Sequence, residues 1–144
     1  MDNDTLNAFS KDLNQLREET QNKLGSEDSR YIRKMIAIKR LCEISGRILM
    51  VRRFISLLLW ISAVLLLALA KILDNMEIGH NVMHGQYDWM NDPSLHSQTY
   101  EWDTVCTGDS WRRTHNYEHH TYTNIIGKDR DYGYAVLRLT DDEP

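Results

Sequence analysis

The hydrophobic and polar positions of the chain fall into four stretches. Residues 1–29 are polar, dominated by Asp, Asn, Gln and Glu. Within them Leu6, Phe9, Leu13 and Leu16 recur at helical spacing, which predicts a short amphipathic helix in a polar arm. Gly25-Ser26-Glu27-Asp28-Ser29 reads as a break followed by a new N-cap. Residues 30–53 interleave Ile, Met and Leu with paired basic residues. That pattern suits an amphipathic helix lying on an anionic membrane surface, or a solvated basic helix. Residues 54–73, FISLLLWISAVLLLALAKIL, are an apolar rod in which Lys71 is the one charge. A helix crosses the bilayer hydrocarbon with about 20 mostly apolar residues, and ~17 is near the lower limit. Lys71 can snorkel to the interface. A soluble domain this small can hardly bury a helix that is apolar all round, so the rod is predicted to be a transmembrane helix or half of a hairpin. It starts too late for a signal peptide and lacks a small-residue cleavage site. Residues 74–144 return to polar and aromatic positions. No internal repeat is visible.

Charge follows the same division. The 144 residues carry 17 Lys+Arg and 21 Asp+Glu, a net charge of −4. Residues 1–53 hold eleven basic and eight acidic side chains, whereas residues 74–144 hold five and thirteen. The chain is therefore a basic arm, an apolar rod and an acidic tail, and a broadly basic nucleic-acid binder is excluded. Cys42 and Cys106 make neither a disulfide framework nor a metal knuckle. The basic excess before the rod suggests a cytoplasmic N-terminus. A single crossing would then put the tail outside, and a hairpin would return it to the cytoplasm.

The tail concentrates histidine. No Pro separates the rod from Asp74–Gly85, so a helix can continue through it. His80 and His84 stand at i and i+4, which places both imidazoles on one face, one turn apart. In His115-Asn116-Tyr117-Glu118-His119-His120, His115 and His119 repeat that spacing, and His120 lies roughly 100° further round. His120 could complete one metal site from the side or reach a second metal. His96 stands apart and reads as a surface or satisfied core residue. Imidazole suits Zn, Cu, Fe and Ni. Asn81 follows His80 where a zinc protease of the H-E-x-x-H type has its glutamate base, so that chemistry is not expected. The Glu-x-x-His sets of carboxylate di-iron bundles are missing too. Uncharged ligands leave the metal's positive charge less compensated, which favours a reduced di-iron pair awaiting O₂.

HxxxH followed by HxxxHH, with the flanks NMEIGHNVMHGQYDWMNDP and WRRTHNYEHHTYTNIIGKDRDYGYAVLR, resembles the first two histidine boxes of the integral-membrane fatty acid desaturases, in particular bacterial acyl-CoA and acyl-lipid desaturases. The resemblance covers roughly residues 30–144. It implies an all-α integral-membrane protein with its His-box helices at the membrane surface, and an oxygen-dependent enzyme that introduces a double bond into an acyl chain. Residues 74–144 would be the His-box region. The implied metal ligands of a di-iron centre are His80, His84, His115, His119 and His120, with O₂ as co-substrate. Glu77, Asn81, Asn116 and Glu118 are candidates to orient the imidazoles. Arg112 and Arg113 are candidates to meet a phosphate of coenzyme A or a lipid headgroup. Tyr87, Trp89, Trp102 and Trp111 would line an acyl tunnel or form an aromatic belt. Asn91-Asp92-Pro93 is a turn, and Lys128-Asp129-Arg130-Asp131 is expected to make local ion pairs. The implied partners are an acyl-CoA or acyl-lipid substrate, the membrane, and an electron donor such as ferredoxin, rubredoxin or a cytochrome with its reductase. The implied location is the cell membrane, with the His boxes on the cytoplasmic side.

The family's third box, HxxHH or QxxHH, does not occur in these residues. Five imidazoles are few for two irons at four or more ligands each. The expectation is thus an incomplete desaturase, a fragment, a truncated gene product or one part of a split protein with a separate C-terminal half, that binds iron weakly and does not turn over alone. A di-iron lipid or alkane hydroxylase is the enzymatic alternative. A non-catalytic desaturase remnant and a soluble helical module are the others.

Overall fold

The computed structural model describes residues 2–52, 56–102 and 104–133. Arg53, Phe54 and Ile55, at the entry to the apolar rod, lie outside the described residues, as do residues 134–144 with the acidic terminal run. Among the described residues every regular element is helical, as the resemblance implies. The chain divides into two compact units, residues 1–34 and 35–144.

In the first unit, α1 (Asn3–Gln21) starts where Asp2 accepts a hydrogen bond from the Thr5 N–H at 2.7 Å. Such a cap satisfies one of the orphan donors of a first helical turn. Leu6, Phe9, Leu13 and Leu16 form the expected stripe, and all four are exposed. α2 (Ser26–Val51) opens at the expected break, with Asp28 accepting the Gly25 N–H at 2.9 Å. It runs on into the second unit.

There the second half of α2 packs against α3 (Leu57–Ile72) through small residues. Ala63 and Ala70 are buried. A Cβ on Gly46 would stand 2.8 Å from Leu67 Cγ and 3.2 Å from the Ala63 carbonyl, so glycine is what permits this approach. Small residues at a helix contact are how apolar helices pack closely in lipid, where burial of Leu gains nothing. The Lys39 ammonium reaches Asp74 at 3.2 Å, tying α2 to the far end of the rod.

The rod does not stop at its apolar boundary. α3 passes into a π-helical turn, Leu73–Gly79, and then α4 (His80–Met83), giving one continuous helix of 27 residues from Leu57 to Met83. At ~1.5 Å per residue this is about 40 Å long. It is long and apolar enough to cross the ~30 Å hydrocarbon core of a bilayer. Leu57, Leu58 and Leu65 are exposed along it.

A second interrupted helix carries the other His box. α5 (Gly108–Trp111) is capped by Thr107, then widens into a π-helical stretch, Arg112–His119, and closes with α6 (His120–Tyr122). The connection between the two helices is pinned rather than free. The Asp88 carboxylate accepts both the N–H and the hydroxyl of Ser97 at 2.7 Å. Asp92 accepts the Ser94 N–H at 3.0 Å in the expected turn, and Asn91 takes a positive φ of 51°. Thr104 donates to Asp74 at 3.2 Å.

Candidate metal centre

The two His helices meet at their π-helical turns. In the first, the His80 N–H reaches back to the Asn75 carbonyl, five residues away. π-turns of this kind are inserted mostly as single widened turns at functional sites. The widened backbone must be held, and Trp102 does part of that work. Its indole lies so close to Gly79 that a Cβ there would fall 2.7 Å from Nε1. Trp102 is buried, and Trp111 packs edge-on against it at 4.6 Å. Trp111 in turn stacks on His115 at 4.0 Å. The aromatic pair is thus a floor under the imidazoles. Tyr87 is also buried, while Trp89 is exposed. Three of the four aromatics expected in a tunnel or belt are therefore packed into the protein: Tyr87, Trp102 and, half-buried, Trp111.

Five imidazoles converge above that floor. Ring centroids of His80 and His84 are 4.5 Å apart, those of His84 and His115 5.1 Å, and those of His80 and His115 5.6 Å. One ring nitrogen from each of these three lies within 4.8 Å of the others. His119 stacks on His115 at 5.0 Å. His120 stands edge-on to His84 at 4.9 Å and to His115 at 5.2 Å. His96 lies elsewhere, its Nδ1 3.7 Å from the Asp88 carboxylate. Asn116 links the two helices by donating from Nδ2 to the Met83 carbonyl at 2.7 Å.

Two carboxylates close the back of the cluster. His115 Nδ1 contacts Asp131 Oδ2 at 2.5 Å, and His119 Nδ1 contacts Asp129 Oδ2 at 2.9 Å. Both aspartates belong to the stretch expected to make local ion pairs. Only part of it does, since Arg130 pairs with Glu118 at 3.2 Å and Lys128 lies over the Tyr122 ring. The difference arises because the chain reverses after α6. Asn124 and Gly127 take φ of 61° and 78°, and the reversal lays the next residues back along the helix. Sequence spacing alone carries no signal for this return.

The other expected positions are placed as follows. Asn81 donates to the Glu77 carbonyl at 2.8 Å. Glu118 pairs with Arg113 at 3.4 Å and with Arg130. Arg112 donates to the carbonyls of Ser97 and Tyr100, both at 2.9 Å, and pairs with Asp109 at 2.8 Å, so it braces the connecting loop. Arg113 is exposed.

The electrostatics favour neutral imidazole. His84 is open to solvent on one side. Partial burial, followed by the nearby His80, His115, His120 and His119, nevertheless lowers it from 6.5 to about 4. Burial alone would raise the Asp129 carboxyl, but hydrogen bonds from the Asn124 and Asp131 N–H groups and from His119 hold it below its ordinary value. Burial and the neighbouring Asp74 raise the Tyr100 phenol to about 12. A set of convergent imidazole nitrogens fits a transition-metal site. The Asn116 Oδ1 atom is buried without a hydrogen-bond partner.

Comparison with known proteins extends this picture. The chain is 52% identical over 132 residues to NADPH-dependent stearoyl-CoA 9-desaturases of two Mycobacterium tuberculosis strains, a match that covers 92% of this chain and 31% of theirs. It is 31% identical over 83 residues to an sn-1 linoleoyl-lipid 6-desaturase of Synechocystis sp., covering 55% of this chain and 22% of that protein. The chain therefore spans about a third of the length of the mycobacterial relatives it matches. No family model and no solved structure matches it.

Proposed function

Because this chain is a segment of the fatty acid desaturase family, we propose that its five histidines supply part of the ligand set of a di-iron centre that desaturates a membrane-associated acyl chain. One observation carries the reading. His80, His84 and His115 bring ligand nitrogens within 4.8 Å of one another, with His119 and His120 against the same rings. Bound iron would supply the oxidising power that no side chain has, since an unactivated methylene offers no acid, base or leaving group. In balance, two adjacent methylenes lose two hydrogens, O₂ takes them with two further electrons and two protons, and an alkene and two waters result.

This chain's own residues bind and orient. His80 and His84 present nitrogens from one helix, and His115, His119 and His120 from the other. Trp102 and Trp111 exclude water from beneath them. Of the two arginines, the exposed Arg113 would be the one to meet a headgroup phosphate, exchanging its pairing with Glu118 for it, since Arg112 is bonded to the Ser97 and Tyr100 carbonyls. The mycobacterial relatives' name gives stearoyl-CoA as their substrate and NADPH as their reductant. For this chain we propose an acyl-CoA or acyl-lipid substrate and electrons from a separate carrier and reductase. The helix Leu57–Met83 would hold the protein in the membrane, with the His cluster at its polar end.

Metal analysis of the chain purified in detergent from iron-replete cells tests the reading. Iron is expected. His84→Ala or His115→Ala should lower its affinity by more than the ~10–100-fold typical of losing an outer partner of a ligand. A zinc-loaded or metal-free product would sink it in favour of a non-catalytic role. Grafting residues 71–133 into the mycobacterial relative then identifies the chemistry: alkene supports the proposal, and alcohol supports a hydroxylase.

A further inference from the structure

The loop after the second His helix does more than end it. The Asp129 side chain is fully buried. A buried carboxylate is tolerated when hydrogen bonds replace its lost hydration. Asp129 receives three, from the Asn124 N–H at 2.7 Å, the Asp131 N–H at 2.9 Å and His119 Nδ1 at 2.9 Å. The bond from the Asp131 N–H is the informative one. It fixes the backbone of the residue whose own carboxylate meets His115 Nδ1. A single buried anion thus organises both contacts, directly to one imidazole and through one backbone step to the other.

An ionised carboxylate can only accept. Nδ1 of each ring must therefore carry a proton, and in the neutral tautomer this leaves the Nε2 lone pair for a ligand on the opposite side. The two rings are nearly parallel, with an interplanar angle of 22°, as expected of rings tethered at the same atom from the same loop. Trp111, stacked on His115 at 24°, limits rotation from the other face.

We propose that Asp129 and Asp131 are positioning residues that set the tautomer and plane of His119 and His115, so that both offer Nε2 to a metal before any metal arrives. This rests on the metal-centre reading for its purpose, but its observable does not need metal. The test is a long-range ¹H–¹⁵N spectrum of the metal-free chain labelled at histidine, with His115 and His119 assigned by their alanine variants. Both are expected as the Nδ1–H tautomer, although free imidazole favours Nε2–H. In Asp131→Ala, His115 should move to the Nε2–H form while His119 keeps its Nδ1 proton, which also shows that the loop is intact. If both rings lose it, Asp131→Glu, which retains the carboxylate, must restore His115. Nε2–H rings in the unsubstituted chain, an unchanged His115 in Asp131→Ala, or failed restoration by the glutamate would each overturn the proposal. Titration with Co²⁺ adds the functional consequence, a ~10–100-fold weaker affinity in Asp131→Ala. Absence of Co²⁺ binding by the unsubstituted chain would count against the metal reading alone and leave the tautomer result standing.

Discussion

At the scale of single residues, the cluster crowds imidazoles against one another. His84 shows the consequence. Its folded-state value is lowered from 6.5 to about 4, chiefly by burial and then by the neighbouring imidazoles. Between those values the unfolded chain binds a proton that the folded chain refuses. By linkage, the metal-free protein is most stable above 6.5 with respect to this group and loses stability as pH falls from 6.5 toward 4. Thermal melts of the metal-free chain at pH 7, 6 and 5 should show a falling midpoint, with a shallower fall in His84→Gln. An identical slope in that variant would show that His84 does not titrate in the window. The histidines themselves were legible, because i,i+4 spacing writes a shared face into the sequence. Asp129 and Asp131 were not. They meet their partners across 10 and 16 residues, through a turn whose direction depends on two positive φ values.

At the scale of elements, the sequence foresaw one helix running from the rod into the first box but not the form of its winding. Both boxes lie on or directly after a π-helical turn, Leu73–Gly79 and Arg112–His119. An i,i+4 histidine pair reads the same whether the backbone is α or locally widened, so periodicity cannot distinguish them. The winding does alter what the second box can reach. His120, expected about 100° from His119 in a regular helix, stands 4.9 Å from His84 on the other helix. Removing one residue from the first π-turn tests how much the geometry depends on it. Met76 is the residue to delete, since its side chain is 60% exposed and little packing is lost with it. Closing the turn to regular α-helix removes the widened backbone that precedes His80 and so displaces the first pair of imidazoles relative to the second. Circular dichroism should show the helix retained, while metal affinity falls as far as in a ligand variant. Unchanged affinity would mean that the π-turn is incidental to the site.

For the molecule as a whole, the question is what solvent the long helix was built for. Leu57–Met83 buries little of its apolar window against protein, 11%, and exposes Leu57, Leu58 and Leu65. A soluble protein would cover such a surface, because exposed apolar area costs about 25 cal/mol per Å². In lipid the same surface costs nothing, and the close Gly46, Ala63 and Leu67 contact is the packing that lipid requires. The apolar run announced this from the sequence. Where the helix ends could not be read from it, because the polar residues Asp74, Asn75 and Glu77 interrupt the hydropathy while the backbone continues. The membrane reading makes a quantitative claim. Leu65 lies in the middle of the apolar stretch, and Asp at the centre of a transmembrane helix costs about 3 kcal/mol, roughly a hundredfold in the insertion equilibrium. The unsubstituted chain should stay with the membrane pellet after alkaline carbonate extraction, and Leu65→Asp should move a large share into the supernatant. Leu65→Phe, equally apolar, should stay in the pellet and so separate insertion from packing. Were the unsubstituted chain itself recovered in the aqueous fraction, Leu57–Met83 would have to be covered by protein rather than lipid. The cluster at its end would then sit in a soluble assembly, away from the acyl chains it is proposed to meet.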